Sequence, residues 1–524
     1  PLRIRARKQG APMKRFHYAA FALSALLWAA GCEGRGPREL PRLAQAQPFA
    51  LENALLFTGQ DLDGKNAIWI ADLSAAEAGA KRVSVPDGSL LLRSRPGAVL
   101  QEVVGLSTGA RARRENGKVL PESASYVLRY DRSGEIARIG LGGRFEALTL
   151  SDDGARVVAH APASGFASDI AVVDLAKRGA PDVSRVALRL IDGQVPTSFA
   201  FGSTGKRDLL VAMMPASVSV MDLATLGSAE PDVVVPLSTS ATAGVRRPPS
   251  KVLFDEDTLY VASAGTQDVL MVQLVDSAEA PRGFSVAPLT LATSNSVSDI
   301  ALVGSGSARR VLALGAGRAS LLLPATGARQ ELAVPSTLDR ISLFEGRSPG
   351  DDQVRERALL YGSSTQIAFV DITDDGGFET EGLDVVNLPF VVKSVVPVKD
   401  LGLAVLVHSD TGFSLLDLGQ RTVSRLSLAD ASSDVLVDVT DDHARVWRAL
   451  ADGAIGMIDL ATGTPTEVLL SSSVRSIVPV GGDSDLVAAV MDPIVGSVAV
   501  LDGGDLGAGA RWEFIGLSWS SLLD

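Results

Sequence analysis

The stretch IGMIDLATGTP, Ile455 to Pro465, joins a short apolar run to an Asp, a Leu, two small residues and a Gly. Close variants recur as VSVMDLATLG (Val218 to Gly227), IAVVDLAKRG (Ile170 to Gly179) and FSLLDLG (Phe413 to Gly419). Aligned on its acid, the phrase places Asp72, Asp131, Asp174, Asp222, Asp371, Asp417, Asp459 and Asp502 in register, with Gln273 and Leu323 at two degenerate copies. Successive copies lie 42 to 59 residues apart.

A period in the forties is the length of a propeller blade of four strands. Two of the longest gaps hold polar insertions, LSTGARARRENGKVLPESAS (Leu106 to Ser125) and STSATAGVRRPPSK (Ser238 to Lys251). Between Asp174 and Asp222 four runs rich in Val, Leu, Phe and Met can be read as one blade: SRVALRL, TSFAFGSTG, DLLVAMM and SVSVMDL. Turn residues separate them. LSAAEAGAKR, Leu73 to Arg82, is the one stretch that reads as a turn or two of helix. The expectation is an all-β propeller of four-stranded antiparallel blades, about 8–10 of them in one ring. Two smaller rings, parted near Glu345 to Arg357, are the alternative.

The phrase has a structural logic. A strand ending in Asp can bend at once, because the carboxylate accepts hydrogen bonds from backbone N–H groups just downstream. The Leu that follows can reach back between blades. A Gly at 463, 227, 179 or 376 would supply the positive φ that reverses the chain. The eight aspartates are therefore expected to cap turns. Each sits in its own blade, rotated about an axis, so they would form a wide ring, whereas calcium needs oxygens converging to about 2.3–2.6 Å.

The ends of the chain read differently. Residues 1–12, PLRIRARKQGAP, precede Met13 and read as an upstream segment or artefact. Residues 13–31 run from Lys14 and Arg15 through an uncharged stretch, Tyr18 to Gly31, which is shorter than the roughly 20 residues of a membrane span and suits a signal peptide. Cys32 is the single cysteine of 524 residues and excludes an internal disulfide. Residues 32–48, rich in Gly, Pro, Arg and Gln, read as a flexible tether, and the propeller is expected over 49–524.

Charge narrows the partners. The chain carries −12, and residues 1–31 hold six cations and no acid, which leaves −18 for the rest. So acidic a body, with 5% aromatics, argues against nucleic acid.

Two resemblances add to this reading. Ala29-Ala30-Gly31-Cys32 resembles the lipobox of bacterial lipoproteins, although Ala29 stands where that family usually has a large aliphatic residue. It implies cleavage before Cys32, lipidation there, and membrane contact through that lipid. Glu33 leans toward an outer-membrane address. LTLSDDGARVVAHAP (Leu148 to Pro162), FAFGSTGKRDLLVAM (Phe199 to Met213) and VLFDEDTLYVASAG (Val252 to Gly265) resemble the strand-turn-strand phrase of bacterial YVTN-type, WD-like propeller repeats. LFTGQDLDGKNAIWIADL is closer to the repeat of the Tol-system periplasmic propeller.

Candidate chemistry is sparse. FGSTGKRD, Phe201 to Asp208, lacks the first Gly and the Ser or Thr of a phosphate loop and reads as a hairpin turn. DLDGKN, Asp61 to Asn66, lacks the distal Glu of a calcium loop and reads as an inter-strand turn. His160, His408 and His443 stand singly, without zinc spacing. No catalytic residue, metal ligand or cofactor is assigned. Five tryptophans are too few for the quinoprotein type of propeller. The expected function is binding or scaffolding by a lipid-anchored propeller, on the periplasmic or cell-surface side of a Gram-negative outer membrane, with an unidentified protein partner. A metal-dependent hydrolase or lactonase-like propeller enzyme is the alternative, and adhesion through the inserted loops a third.

Overall fold

The computed structural model describes residues 42–43, 49–51 and 53–519, apart from a set of connecting stretches of which 238–248 is the longest. Strands fill it. Nine four-stranded sheets and one six-stranded sheet follow one another along the chain, and among the described residues the helical content is four single 3₁₀ turns. Within each four-stranded sheet neighbouring strands pair antiparallel. Each is one blade, numbered 1 to 10 in chain order.

Blade 4 shows the plan: Ser198–Ser203, Asp208–Met214, Ser217–Asp222 and Asp232–Pro236, hydrogen-bonded in sequence order. Its two middle strands carry apolar residues on both faces, because blades pack against them from both sides. The first strands of successive blades approach one another, as with Val297–Val303 and Arg340–Gly346, and so lie innermost.

The blades close into a single ring. One apolar core fills each seam, from the one between blades 1 and 2, with Leu56, Ile70, Leu128 and Tyr130, to the one between blades 9 and 10, around Trp447. The tenth core returns to the start, packing Leu55, Phe57 and Leu73 of blade 1 against Val480, Ala488 and Val500 of blade 10. The backbone closes there too. Ser518–Trp519 pairs in parallel with Arg42–Leu43, which in turn pairs with Gly59 and Gln60 of blade 1. Ten blades exceed the usual four to eight. The copying was correctly visible in the sequence, and the two-ring alternative falls to the unbroken cycle of ten seams.

Two expectations are corrected. The sequence unit is out of phase with the blade: Val183–Ala187, read above as the first strand of a unit, pairs back onto Asp169–Asp174 and is the outer strand of blade 3. The outer strand of blade 4 is Asp232–Pro236. The stretch read as helical contains the strand Gly79–Ser84, which pairs with Asn66–Asp72 because a third strand left without a partner would expose its N–H and C=O groups.

Third strands all run toward one side of the ring, where the phrase aspartates stand; this is the Asp face. The opposite side is the far face. The first insertion lies there, between the second and third strands of blade 2, and contains a hairpin, Arg113–Glu115 with Lys118–Leu120. The upstream segment, the signal peptide, Cys32, Asp61 to Lys65 and residues 238–248 of the second insertion lie outside the described residues.

Candidate functional site

The phrase aspartates stand at or beside the ends of third strands in eight of the ten blades, no two in the same blade, and are spread around the ring. The Oδ1 of Asp174, Asp222 and Asp502 accepts the N–H two residues on, at 2.9 to 3.0 Å. Asp131 accepts from the N–H and hydroxyl of Ser133, and Asp417 from the N–H groups of Gly419 and Gln420. Asp459 takes the N–H groups of Ala461 and Thr462, and those bonds, that of Thr462 foremost, hold its carboxyl below the usual range against the pull of partial burial. Asp72 ends its strand opposite Ala54 and Gly79.

Asp371 takes up two guanidinium groups. Arg357, opposite it on the second strand of blade 7, and Arg421, 2.5 Å away from blade 8, both reach its carboxylate, and all three side chains are buried. Burial works to raise the Asp371 carboxyl. The hydrogen bonds from Arg421 and Arg357, and then their charges, outweigh it and hold the group below its usual value. Arg421 also lies over the Phe369 ring, 5.1 Å from its centre. This cross-seam triad escaped the sequence reading, yet half its signal was there. An Arg within the first three residues of the second strand stands opposite the phrase Asp in three blades: Arg156 with Asp174, Arg357 with Asp371, and Arg445 with Asp459.

The residues after the Asp divide. Leu73, Leu175, Leu418 and Leu460 are buried in the seam with the preceding blade. Gly463 and Gly376 have φ of 69° and 79°, the conformation that favours glycine. Gly227 does not. In blade 4 a 3₁₀ turn, Leu223–Thr225, capped by Asp222, reverses the chain instead. Gly179 lies outside the described residues.

FGSTGKRD spans a hairpin turn of blade 4, with Ser203 opposite Asp208. It borders a hollow of about 600 Å³ on the Asp face between blades 3 and 4, lined by Arg156, Lys206 and Arg207 together with Asp174, Asp208 and Asp222. These charges answer one another or the next blade: Arg156 bonds Asp208 at 3.1 Å, Lys206 bonds Asp257 at 2.6 Å, and Arg207 bonds Asp222 and Asp276. A hollow of about 590 Å³ on the far face, between blades 5, 6 and 7, is bordered by Gly265, Ser298, Ala316 and Arg340.

The three histidines of the ring are separate. His160 and His408 end second strands at the far face. His160 is 7% exposed with its ring 4.6 Å from that of Phe199, and burial pushes it down to about 4. The Nε2 of His408 shares a hydrogen bond with the Ser414 hydroxyl. His443, on the Asp face, lies between Asp438 and Asp485, each 3.1 Å away. Among the described residues no three or more His, Cys, Asp or Glu side chains gather as a metal site would require.

Large apolar side chains are exposed on the Asp face of three successive blades: Val354 (60%), Leu401 (37%) and Val439 (38%), all at the connection from first to second strand.

No family model matches the chain. A curated relative, indole-3-acetate O-methyltransferase 1 of Oryza sativa subsp. japonica, is 33% identical over 108 residues, which are 20% of this chain and 24% of that protein. The chain thus spans about a quarter of the length of the curated relative it matches. Among solved structures, the dihydro-heme d1 dehydrogenase NirN in complex with DHE is similar at 14% identity and a TM-score of 0.40, over 87% of this chain and 86% of that one. Sqt1 of Saccharomyces cerevisiae is similar at 12% and 0.40, over 64% and 90%. AztD of Citrobacter koseri is similar at 14% and 0.36, over 66% and 92%.

Proposed function

We propose that this propeller is a binding or scaffolding protein, anchored by lipid at Cys32 to a Gram-negative outer membrane and facing the periplasm or the cell surface. Its protein partner docks on the Asp face. The observation that carries the docking is the run of exposed Val354, Leu401 and Val439 on blades 7, 8 and 9. Isolated exposed apolar residues are ordinary, and what favours docking here is their recurrence at the same connection of three successive blades on one face. The charges around the ring support the same use. Arg156, Lys206 and Arg309 pair with acids of adjacent blades, which stiffens the ring and leaves those groups committed to one another. The lipobox-like AAGC and the secretory pattern before it support the anchor and the compartment.

The test is photocrosslinking in cells from position 401, compared with the same probe after Val354→Asp and Val439→Asp. A single protein captured from position 401 and lost in the double variant supports the reading. Stoichiometric calcium or zinc in the purified protein, together with ester or lactone hydrolysis, would replace it by the hydrolase alternative. The anchor is read separately, from the mass of the N-terminal peptide.

A further inference from the structure

The first insertion is a built projection. Its two legs are fastened to each other by bonds from Ser123 N–H to the Ala110 carbonyl, from Ala110 N–H to the Ser123 hydroxyl (2.7 Å), and from the Ser125 hydroxyl to the Thr108 carbonyl (2.9 Å), and to blade 2 by the Thr108 N–H on the Ser89 carbonyl and the Leu141 N–H on the Ser125 carbonyl. Gly109, at φ 71°, begins it, and a Cβ there would meet the Ser123 carbonyl oxygen at 2.3 Å. No other residue fits that position without moving the base. Beyond it the hairpin stands out from the ring. Arg114 and Lys118 are exposed, Arg111 is 73% exposed and Val119 65%.

Its charge is opposite to that of the body. The insertion carries Arg111, Arg113, Arg114 and Lys118 against Glu115 and Glu122. At its foot Glu146 accepts from both Arg111 (3.0 Å) and Arg144 (3.1 Å), so one acid answers two cations. The −18 carried by residues 32–524 does not cancel this locally, because charges more than about 8 Å away are screened at physiological ionic strength.

The path of the chain gives the hairpin a context. Arg42 pairs with Gln60, the last residue of the second strand of blade 1, and Leu51 pairs with Ala54, the first. The chain therefore joins the ring at the far face and runs toward the Asp face. The basic hairpin leaves the same far face from the next blade.

We infer that the far face at blades 1 and 2 lies against the bilayer, with the hairpin of blade 2 in contact with anionic phospholipid headgroups. This rests on the anchored reading above, since a tether that ends at the far face draws that face toward its membrane. An exposed Val beside Arg and Lys suits the interface, where cations meet phosphate and a small apolar group enters the headgroup layer. Each basic residue near such a surface contributes about fivefold to the partition. The partner facing Asp side then points away from the membrane.

The mature chain from Cys32 is coupled through that thiol to maleimide phospholipid in vesicles, which supplies the anchor whatever its natural state. Amine acylation is then followed at Lys118 and at Lys399, which is exposed on the Asp face of blade 8. On phosphatidylglycerol-rich vesicles Lys118 is expected to be protected severalfold and Lys399 unchanged. High salt, or Arg111→Ser with Arg114→Ser, should remove the protection, the double change weakening the contact roughly twenty-five-fold. Equal labelling of Lys118 on anionic and phosphatidylcholine vesicles, or protection of Lys399 instead, overturns the inference. So does crosslinking from position 118 in cells to an acidic protein rather than to lipid. An unmodified Cys32 in the native N-terminal peptide would count against the anchor alone, and the vesicle result would still read the hairpin.

Discussion

The two faces of the ring are made of the same strands and differ in what their ends are asked to do. On the Asp face third strands end in acids that fasten the next turn or clasp a neighbouring blade, as Asp459 and Asp371 do. The far face has seam acids of its own, Asp299 accepting from Lys251 of blade 5 and from the Ile341 N–H of blade 7, and Asp434 from the Ile477 N–H of blade 10, while buried His160 and His408 stand where its second strands finish. The Asp face spends its charge on turns and on holding blades together, and the far face does so at Asp299. The far face, at blade 2, puts charge outside the fold, on a hairpin that holds no seam. The difference teaches which charges belong to stability and which are left over for partners, and it predicts where mutation will hurt.

The largest effect should come from the triad of the Asp face. Arg421→Ala leaves a buried Asp371 with one cation and is expected to cost about 3–5 kcal/mol in denaturant unfolding. The sign of the pH dependence follows from the lowered Asp371 carboxyl. Its stabilisation is present above the unfolded value near 3.9 and is lost as pH falls through the lower folded value. The variant should show a flatter acid limb than the parent. An unchanged limb would mean that the triad is not what the Asp face loses in acid.

The far face should fail in acid earlier. His160 is held neutral, with its value lowered from 6.5 to about 4. The unfolded chain therefore takes up a proton between these values that the folded chain refuses, and stability falls as pH drops from 6.5 toward 4. The full loss is about 3 kcal/mol. His160→Phe keeps the ring beside Phe199 and should abolish that part of the melting-temperature profile while leaving the decline below pH 4. Were the profile unaltered by the change, the two faces would not have separate acid windows.

How far these differences were legible follows from the range of each interaction. The turn acids were visible because Asp174 and Ala176, or Asp459 and Thr462, are close in sequence. The blade count followed from repetition. The phase of the blade was not visible, since Ser184 pairs with Val172 rather than with the strand that follows it, and only the sheet decides that. The burial of His160 and the reach of Arg421 to Asp371 depend on the packing of one blade against the next, and a single copy of the repeat contains neither partner. The third prediction tests the local part: Asp459→Ala removes three hydrogen bonds from one turn and should cost about 1 kcal/mol, measured by chemical denaturation.

The smallest effect is the sharpest probe of the comparison. Arg111 is mostly exposed and its partner Glu146 keeps Arg144, so Arg111→Ala should change stability by less than about 0.5 kcal/mol. The same substitution should lower the protection of Lys118 on anionic vesicles. Stability and contact would then separate at one residue, which no clasp of the Asp face allows, because Arg421 cannot be removed without loosening the seam it closes. If Arg111→Ala instead destabilised the fold as much as Asp459→Ala does, the hairpin would be part of the ring's fastening, and its charge would have the same purpose as that of the seam acids.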